Sequence, residues 1–361
     1  MTMKSPIAWG FIGTGWMAER FAITLAAVEG ARIAAVASRD KARAEAFRQR
    51  WGGDKAYDDE SGLVNDPGVD VVYVATPHPL HYPTTLLALN AGKAVLCEKP
   101  LAMDAAQARE IAALAREKGL FCMEAMWTRF LPLYRCLGAV IAQTGVGAPV
   151  AMHADLGHAI PFDPQGRFFN PALGGGALLD LGVYGISLAT MLFGTPSAVH
   201  AQATFGRTGV DEQCSVLLRF PEGQASLNLS LCNALGNQLQ VHCRAGGLRI
   251  GPSFIEAEDV EVWRSSGDRA IPLPAGACMA PPAAPASLGA RLRKRLCGGA
   301  DAPAQRPGHP VLRFPANPHR HAHQAEEVMR CLREGLTQSP VMPLEDSILA
   351  LQVMDAVRAG W

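Results

Sequence analysis

Residues 7–18 read IAWGFIGTGWMA, and the organisation of the whole chain follows outward from them. An uncharged run from Ile7 to Ile12 leads directly into Gly13-Thr14-Gly15 and then into AERFAITLAAVEG, a stretch with helical periodicity. Gly13, Gly15 and Ala18 have the spacing G-x-G-x-x-A. In a strand–turn–helix junction the first glycine permits the tight turn. The second lets a pyrophosphate approach the backbone, the small third residue lets helix and strand pack closely, and N–H groups at the helix start face the phosphates. Alone the pattern is weak, because glycines punctuate many turns. At the opening of the first strand–helix–strand unit it predicts a dinucleotide site that includes Gly13, Gly15, Trp16 and Met17.

The same alternation continues downstream. ARIAAVAS, VDVVYVAT, KAVLCEK and LFCMEA read as nearly all-apolar strands, as expected of a parallel sheet covered on both faces. Between them lie DKARAEAFRQRWG, HYPTTLLALNAG and DAAQAREIAALAREKG, which read as helices closing on glycine. Residues 1–125 are therefore expected to form a doubly wound α/β domain of Rossmann type.

Beyond residue 150 the pattern changes. SAVHAQATF, CSVLLRF, QASLNLSL, NQLQVHC, LRIG and DVEVWR follow one another with short turns, which predicts antiparallel pairing. One helix-like stretch, GALLDLGVYGISLATMLFG, precedes them, and HAHQAEEVMRCLREG and LEDSILALQVMDAVRAG come after. Residues 126–361 are thus expected to be an α+β domain with an open, mainly antiparallel sheet and helices on one face. The segment 274–310, dense in Pro, Ala and Gly, reads as a flexible surface insertion, and its basic RLRKR at 291–295 as a solvated loop.

Composition narrows the function classes. The 361 residues hold 33 basic and 33 acidic side chains, so no general field for nucleic acid or membrane arises. With 49% hydrophobic residues the chain can bury two cores. Its nine cysteines form no C-x-x-C pair, and several lie in apolar runs, which fits reduced thiols in the cytoplasm better than disulfides or zinc. His319, His321 and His323 alternate at what reads as a helix start, where three imidazoles do not converge, so no metal site is expected. The apolar run before Gly13 is too short for a signal core or a membrane span.

The end of the second strand bears on cofactor choice. NAD-binding sites usually place a carboxylate there for the ribose 2′-hydroxyl. This chain has Ser38-Arg39, a hydroxyl and a guanidinium suited to a 2′-phosphate, followed by Asp40 as a helix cap. NADP is expected, with NAD possible.

Several segments together resemble the glucose–fructose oxidoreductase/inositol dehydrogenase (Gfo/Idh/MocA) family. They are GFIGTGWMA (10–18), ASRD (37–40), ATPHPLHY (75–82), CEKPLAM (97–103), MEAMWTRF (123–130), GGGALLDLGVY (174–184) and SPVMPLEDSILAL (339–351). The EKP, EAMWTRF and GGALLDLGVY versions look most like the dihydrodiol dehydrogenase branch of that family. The resemblance implies hydride transfer between nicotinamide and a carbon of a small sugar, cyclic polyol or dihydrodiol. It also implies a cis Lys99–Pro100 bond and a homodimer through the C-terminal sheet, whose strands such as QASLNLSL are expected to offer apolar side chains on the free face.

Site residues follow from both sources. Glu98 and Lys99 lie past the carboxyl end of a strand, where open α/β sheets bind ligands. Asp180 and Tyr184 are four apart in a helix-like run, hence on one face. Where inositol dehydrogenase-like members have histidine, this chain has Tyr184. We expect Lys99, Asp180 and Tyr184 to be catalytic, with Tyr184 moving the proton and a nearby Lys99 ammonium lowering its pKa; the reverse assignment, with Lys99 as carrier, stays open. Thr76, His78, His81 and Glu98 are expected along the cofactor. The resemblance places Trp127 and Arg129 at the nicotinamide end, and Arg167 in DPQGRFFN is expected to face substrate. An NADP-binding sugar-responsive regulator and an NAD-dependent glycosidase of the same fold remain alternatives.

Overall fold

The computed structural model describes residues 5–265, 274–279 and 309–361. Six parallel strands make the first sheet: β1 (Ile7–Ile12), β2 (Ala31–Ala37), β3 (Lys55–Tyr57), β4 (Val71–Val74), β5 (Ala94–Cys97) and β6 (Cys122–Glu124). Their order, β3-β2-β1-β4-β5-β6, is doubly wound about β1 and β4. β1 is buried at every residue, as its lack of alternation predicts. Phe11 stands opposite Tyr73 in register, and with Trp9 and Phe21 these rings fill one side of the sheet.

Five helices flank these strands: α1 (Trp16–Ala26), α2 (Lys41–Trp51), α3 (Glu60–Val64), α4 (His81–Asn90) and α5 (Ala105–Lys118). Three begin on aspartate caps. Asp40 accepts from Ala42 and Arg43 N–H, Asp59 from Gly62 N–H and Asp104 from Gln107 N–H. α1 has no such side-chain cap.

The second sheet has nine strands in the order β14-β15-β13-β12-β11-β7-β10-β9-β8. They are β7 (Pro149–Gly157), β8 (Ala198–Phe205), β9 (Asp211–Phe220), β10 (Gly223–Ser230), β11 (Leu239–Cys243), β12 (Gly246–Ile250), β13 (Asp259–Arg264), β14 (Cys278–Met279) and β15 (Val311–Arg313). All neighbours are antiparallel except β7 and β10, which run parallel, so the sheet is mixed. β7, β14 and β15 were not anticipated, nor was helix α6 (Pro132–Gln143) ahead of β7. The expected insertion is described only at its ends, where Cys278–Met279 pairs with β15; residues 280–308, with the basic run 291–295, lie outside the described residues.

Register divides the faces of this sheet. Leu218, Ala225, Met152, Val241, Leu248 and Val262 line up across six strands and are all buried. The neighbouring row, Leu217, Ser226, His153, Gln240, Arg249 and Glu261, points the other way. Only Leu217 in that row is a large apolar group, 57% exposed. This corrects the expectation for QASLNLSL. Alternation sends Ala225, Leu227 and Leu229 to the buried face, and leaves Gln224, Ser226 and Asn228 outside.

Helix α7 (Val183–Phe193) covers the buried face, with Gly185 packed close against Leu227. The run Pro171–Phe193 has the length and composition of a membrane span, but 78% of its apolar window is buried inside the fold. Helices α8 (Ala322–Glu334) and α9 (Leu344–Ala359) return toward the first sheet. Asp355 of α9 accepts Ala105 N–H at 2.9 Å, and Glu345 pairs with Arg116, tying α9 to α5. The cleft between the two sheets is bridged by its own carboxyl-terminal helix.

Candidate active site

The carboxyl ends of β1, β2, β4, β5 and β6 all open toward one edge, and the residues singled out in the sequence gather there. At the first turn Gly13 has φ +102°, and a Cβ on it would lie 2.5 Å from Ala75 O, so the chain crosses β4 only without a side chain. A Cβ on Gly15 would meet nothing within 4 Å. The amino end of α1 therefore faces open space with no side chain bonded to its first N–H groups, the geometry a pyrophosphate needs. Trp16 is 63% exposed beside it. Ser38 follows β2, with Arg39 exposed and without an ion pair among the described residues. Thr76 Oγ1 is buried with no partner among them. An uncapped helix start, an orphaned hydroxyl and a free guanidinium fit a phosphorylated dinucleotide.

The bond between Lys99 and Pro100 is cis, as the family resemblance implies. Glu98 lies beneath it, fully enclosed: Tyr73 Oη donates to its Oε1 at 2.5 Å, and Lys99 N–H donates to Oε2 at 3.3 Å. Burial pushes the Glu98 carboxyl up. Both of its oxygens are thus occupied in supporting the strand end, not in reaching a cofactor.

Lys99 carries its ammonium across the cleft. Nζ donates to Asp180 O at 2.7 Å and to Asp180 Oδ1 at 3.1 Å. Burial works against the ammonium, but Asp180 and then Tyr184 together outweigh it, and the Lys99 pKa ends above its ordinary value. Asp180 Oδ1 also accepts from Arg167 at 3.0 Å. Burial alone would raise this carboxyl, yet Lys99, then Arg167, hold it well below the usual carboxylate range.

Asp180 sits in a single π-turn, Leu178–Gly182, that leads into α7. Such wide turns are frequent at functional sites. Tyr184 follows in α7 and is 6% exposed. The Lys99 ammonium lies 4.7 Å from the centre of the Tyr184 ring, a cation–π contact, and not at the hydroxyl. The group on the hydroxyl is Trp127, whose Nε1–H donates to Tyr184 Oη at 3.0 Å. Burial pushes the phenol up, and Lys99 offsets this only in part. The expectation of a lowered Tyr184 pKa is therefore corrected, because the ammonium faces the ring and the site excludes water.

The two histidines part company. His78 is buried, and its Nδ1 lies 2.9 Å from Gly174 O. Burial, reinforced by His81, pushes it down to about 3, so the ring is neutral. A carbonyl only accepts, which places the ring hydrogen on Nδ1 and leaves the Nε2 lone pair free to accept. His81 is fully buried with Nδ1 2.7 Å from Pro100 O and Nε2 2.9 Å from Thr76 O. It brackets the two loops and has no nitrogen left for a ligand, contrary to its expected place along the cofactor.

Arg129 also departs from expectation. It is 3% exposed, paired with Asp346 of α9 and directed at Ser187 O of α7, so it joins helices instead of lining the nicotinamide end. Trp127 does border the cleft, with His321 packed at 4.8 Å on its other side. His323 Nε2 accepts Asn317 N–H, so the three alternating histidines point to separate tasks. Sequence reasoning missed Tyr73, Asp346 and His321. Their partners lie 25 residues or more away in the chain, and no local pattern announces such contacts.

Comparison with known proteins bears on this arrangement. Residues 7–126 match the Gfo/Idh/MocA oxidoreductase family, NAD-binding Rossmann fold, and residues 134–249 match the Gfo/Idh/MocA C-terminal domain. The chain is 34% identical over 367 residues to trans-1,2-dihydrobenzene-1,2-diol dehydrogenase of Mus musculus, covering 98% of this chain and 96% of that one. The Homo sapiens enzyme of the same name is 33% identical, with the same coverage. The solved 3-ketoreductase KijD10 from Actinomadura kijaniata, in complex with NADP and TDP-benzene, superposes with a TM-score of 0.79 at 26% identity, covering 99% of this chain and 98% of that one.

Proposed function

The chain belongs to the Gfo/Idh/MocA oxidoreductase family, and on that premise we propose that its cleft interconverts an alcohol and a carbonyl on a small sugar, cyclic polyol or dihydrodiol, using NADP. It is an NAD(P)-dependent enzyme acting on CH–OH groups. The observation that carries the finer reading is the meeting of Lys99 from one domain with Asp180 and Tyr184 from the other.

When bound, the nicotinamide ring supplies or takes up the hydride. The chain's own residues must then orient the substrate and move one proton. Tyr184 Oη already accepts from Trp127, which leaves its own hydrogen free for a substrate oxygen in the reducing direction. The resulting phenolate is stabilised by the Trp127 N–H and by the Lys99 charge over its ring. Lys99 is held cationic by Asp180, which suits it to anchoring an oxygen better than to carrying the proton. Asp180 and neutral His78 offer acceptors for substrate hydroxyls, and Arg167 closes the outer side of the Asp180 carboxylate. The exposure of Arg39, beside Ser38 at the end of β2, supports their holding the 2′-phosphate of NADP.

We further propose a cytoplasmic homodimer joined through the open face of the nine-stranded sheet. Five of the eight described cysteines are buried and all eight are free, which fits a reducing compartment. The decisive test of function is a panel of dihydrodiols, aldoses, inositols and their keto forms, followed by the absorbance of reduced nicotinamide with NADP and with NAD. Turnover of a free polyol or its ketone with net change in cofactor redox state is expected. Bond cleavage without net cofactor change, or tight binding without turnover, would contradict it.

A further inference from the structure

Asp211 opens β9, and no local pattern in the sequence draws attention to it. Its carboxyl is 7% exposed and makes no ion pair among the described residues. Oδ2 accepts Leu178 N–H at 2.7 Å across 33 residues of chain. Gly176 has φ +122°, and a Cβ there would lie 2.1 Å from Asp211 Oδ1. The last of three consecutive glycines thus makes room for this carboxylate. No side chain of the segment itself caps it, either at the π-turn or where α7 begins. The carboxylate that caps this helix start is borrowed from the sheet.

From this geometry we infer that Asp211 is a positioning residue for the reaction, fixing the first turn of the segment that carries Asp180 and Tyr184 into the cleft. Asp180 lies two residues beyond the capped Leu178, and Tyr184 one further turn along. A displacement of this turn therefore changes both the Lys99–Asp180 contact and the Trp127–Tyr184 bond. The inference rests on the reading that Tyr184 and Asp180 work on the substrate.

The anchor is also titratable. Burial pushes the Asp211 carboxyl up to about 6, opposed first by the Leu178 N–H, then by its own backbone N–H and by Arg358 of α9. Cys214 on its own strand is a neutral thiol there, itself pushed up by burial, and Phe205, Gly209 and Val210 on the adjoining hairpin bring no charge. The ionised carboxylate holds the Leu178 N–H by a charge-assisted bond. As pH falls through the raised pKa the charge is lost, the bond weakens, and the turn loosens.

The test uses Asp211→Asn and Asp211→Ser in the full chain. Asparagine keeps the shape but removes the charge and leaves one acceptor oxygen where the carboxylate has two. NADP affinity is expected to stay within about twofold, since Asp211 bonds the Leu178 turn and not the Gly13–Met17 turn, whereas kcat should fall by roughly ten- to a hundredfold through misplacement. The acid limb of the kcat profile, with its midpoint near the Asp211 pKa in the unaltered enzyme, should be absent from Asp211→Asn. An Asp211→Asn protein with unchanged kcat and an unchanged acid limb would overturn the inference. If neither variant folds, the indole N–H resonance of Trp127 in the unaltered protein, assigned with Trp127→Phe, decides. It should shift with a midpoint near that of Asp211, and a resonance indifferent to pH there would overturn the inference. This signal reads the position of Tyr184 whichever residue carries the proton, so failure of the catalytic assignment remains distinguishable.

Discussion

Trp127 and Tyr184 show how far single residues can be read from a sequence. Each lies in a recognisable motif, but the bond between Trp127 Nε1 and Tyr184 Oη spans 57 residues and is fixed only by tertiary packing. Lys99, Asp180 and Tyr184 were legible because their motifs place them at a sheet edge and a helix start. Arg129 and His81 were misplaced for one reason: a polar residue in a motif can serve the pocket or its scaffold, and only burial distinguishes the two. The cofactor preference is also a single-residue matter. Arg39 is exposed with no ion pair among the described residues, so its guanidinium is available to a 2′-phosphate at no desolvation cost to an existing pair. NADP should bind more tightly than NAD, and Arg39→Ala should narrow the gap by weakening NADP alone. Equal affinities in the unaltered protein, measured by fluorescence titration, would contradict this.

Among elements, those with uniform patterns were legible and those with mixed ones were not. β1, β2, β4, β5 and β6 are short apolar runs and declare themselves. β7, PVAMHADLG, interleaves His153 and Asp155 with buried Met152 and Ala154, and its polar members blur the apolar run even though Gly145 and Gly147 mark the turn before it. β3 has three residues, too few for any period. The π-turn around Asp180 is invisible in sequence, because the cap that shapes it comes from β9. Local caps, by contrast, were readable. Asp104 bonds Gln107 N–H at 2.8 Å and starts the helix behind the Lys99 loop. Asp104→Ala should cost about 1 kcal/mol in a denaturant melt while leaving kcat unchanged, since the carboxylate touches only the helix start. A loss of activity with unchanged stability would show that this cap serves the site directly.

For the whole molecule, two sheets meet in one cleft, and neither domain alone holds a complete site. Lys99 belongs to the first, Asp180 and Tyr184 to the second, and α9 ties the halves together through Asp355 and Glu345. The outer face of the nine-stranded sheet is mostly polar, with Leu217 exposed and Trp263 packed under Arg249 and beside His242. A homodimer on this face should therefore be salt-sensitive as well as hydrophobic, and light scattering at micromolar concentration should give twice the chain mass. A monomer mass would refute it. If Tyr184 carries the proton in a site to which Lys99 and Asp180 also belong, Tyr184→Phe removes the proton carrier and nothing else, because only the hydroxyl is lost. NADP affinity should be unchanged while kcat falls by about two to four orders of magnitude. A Tyr184→Phe enzyme that binds NADP normally and retains most of its turnover would contradict the account.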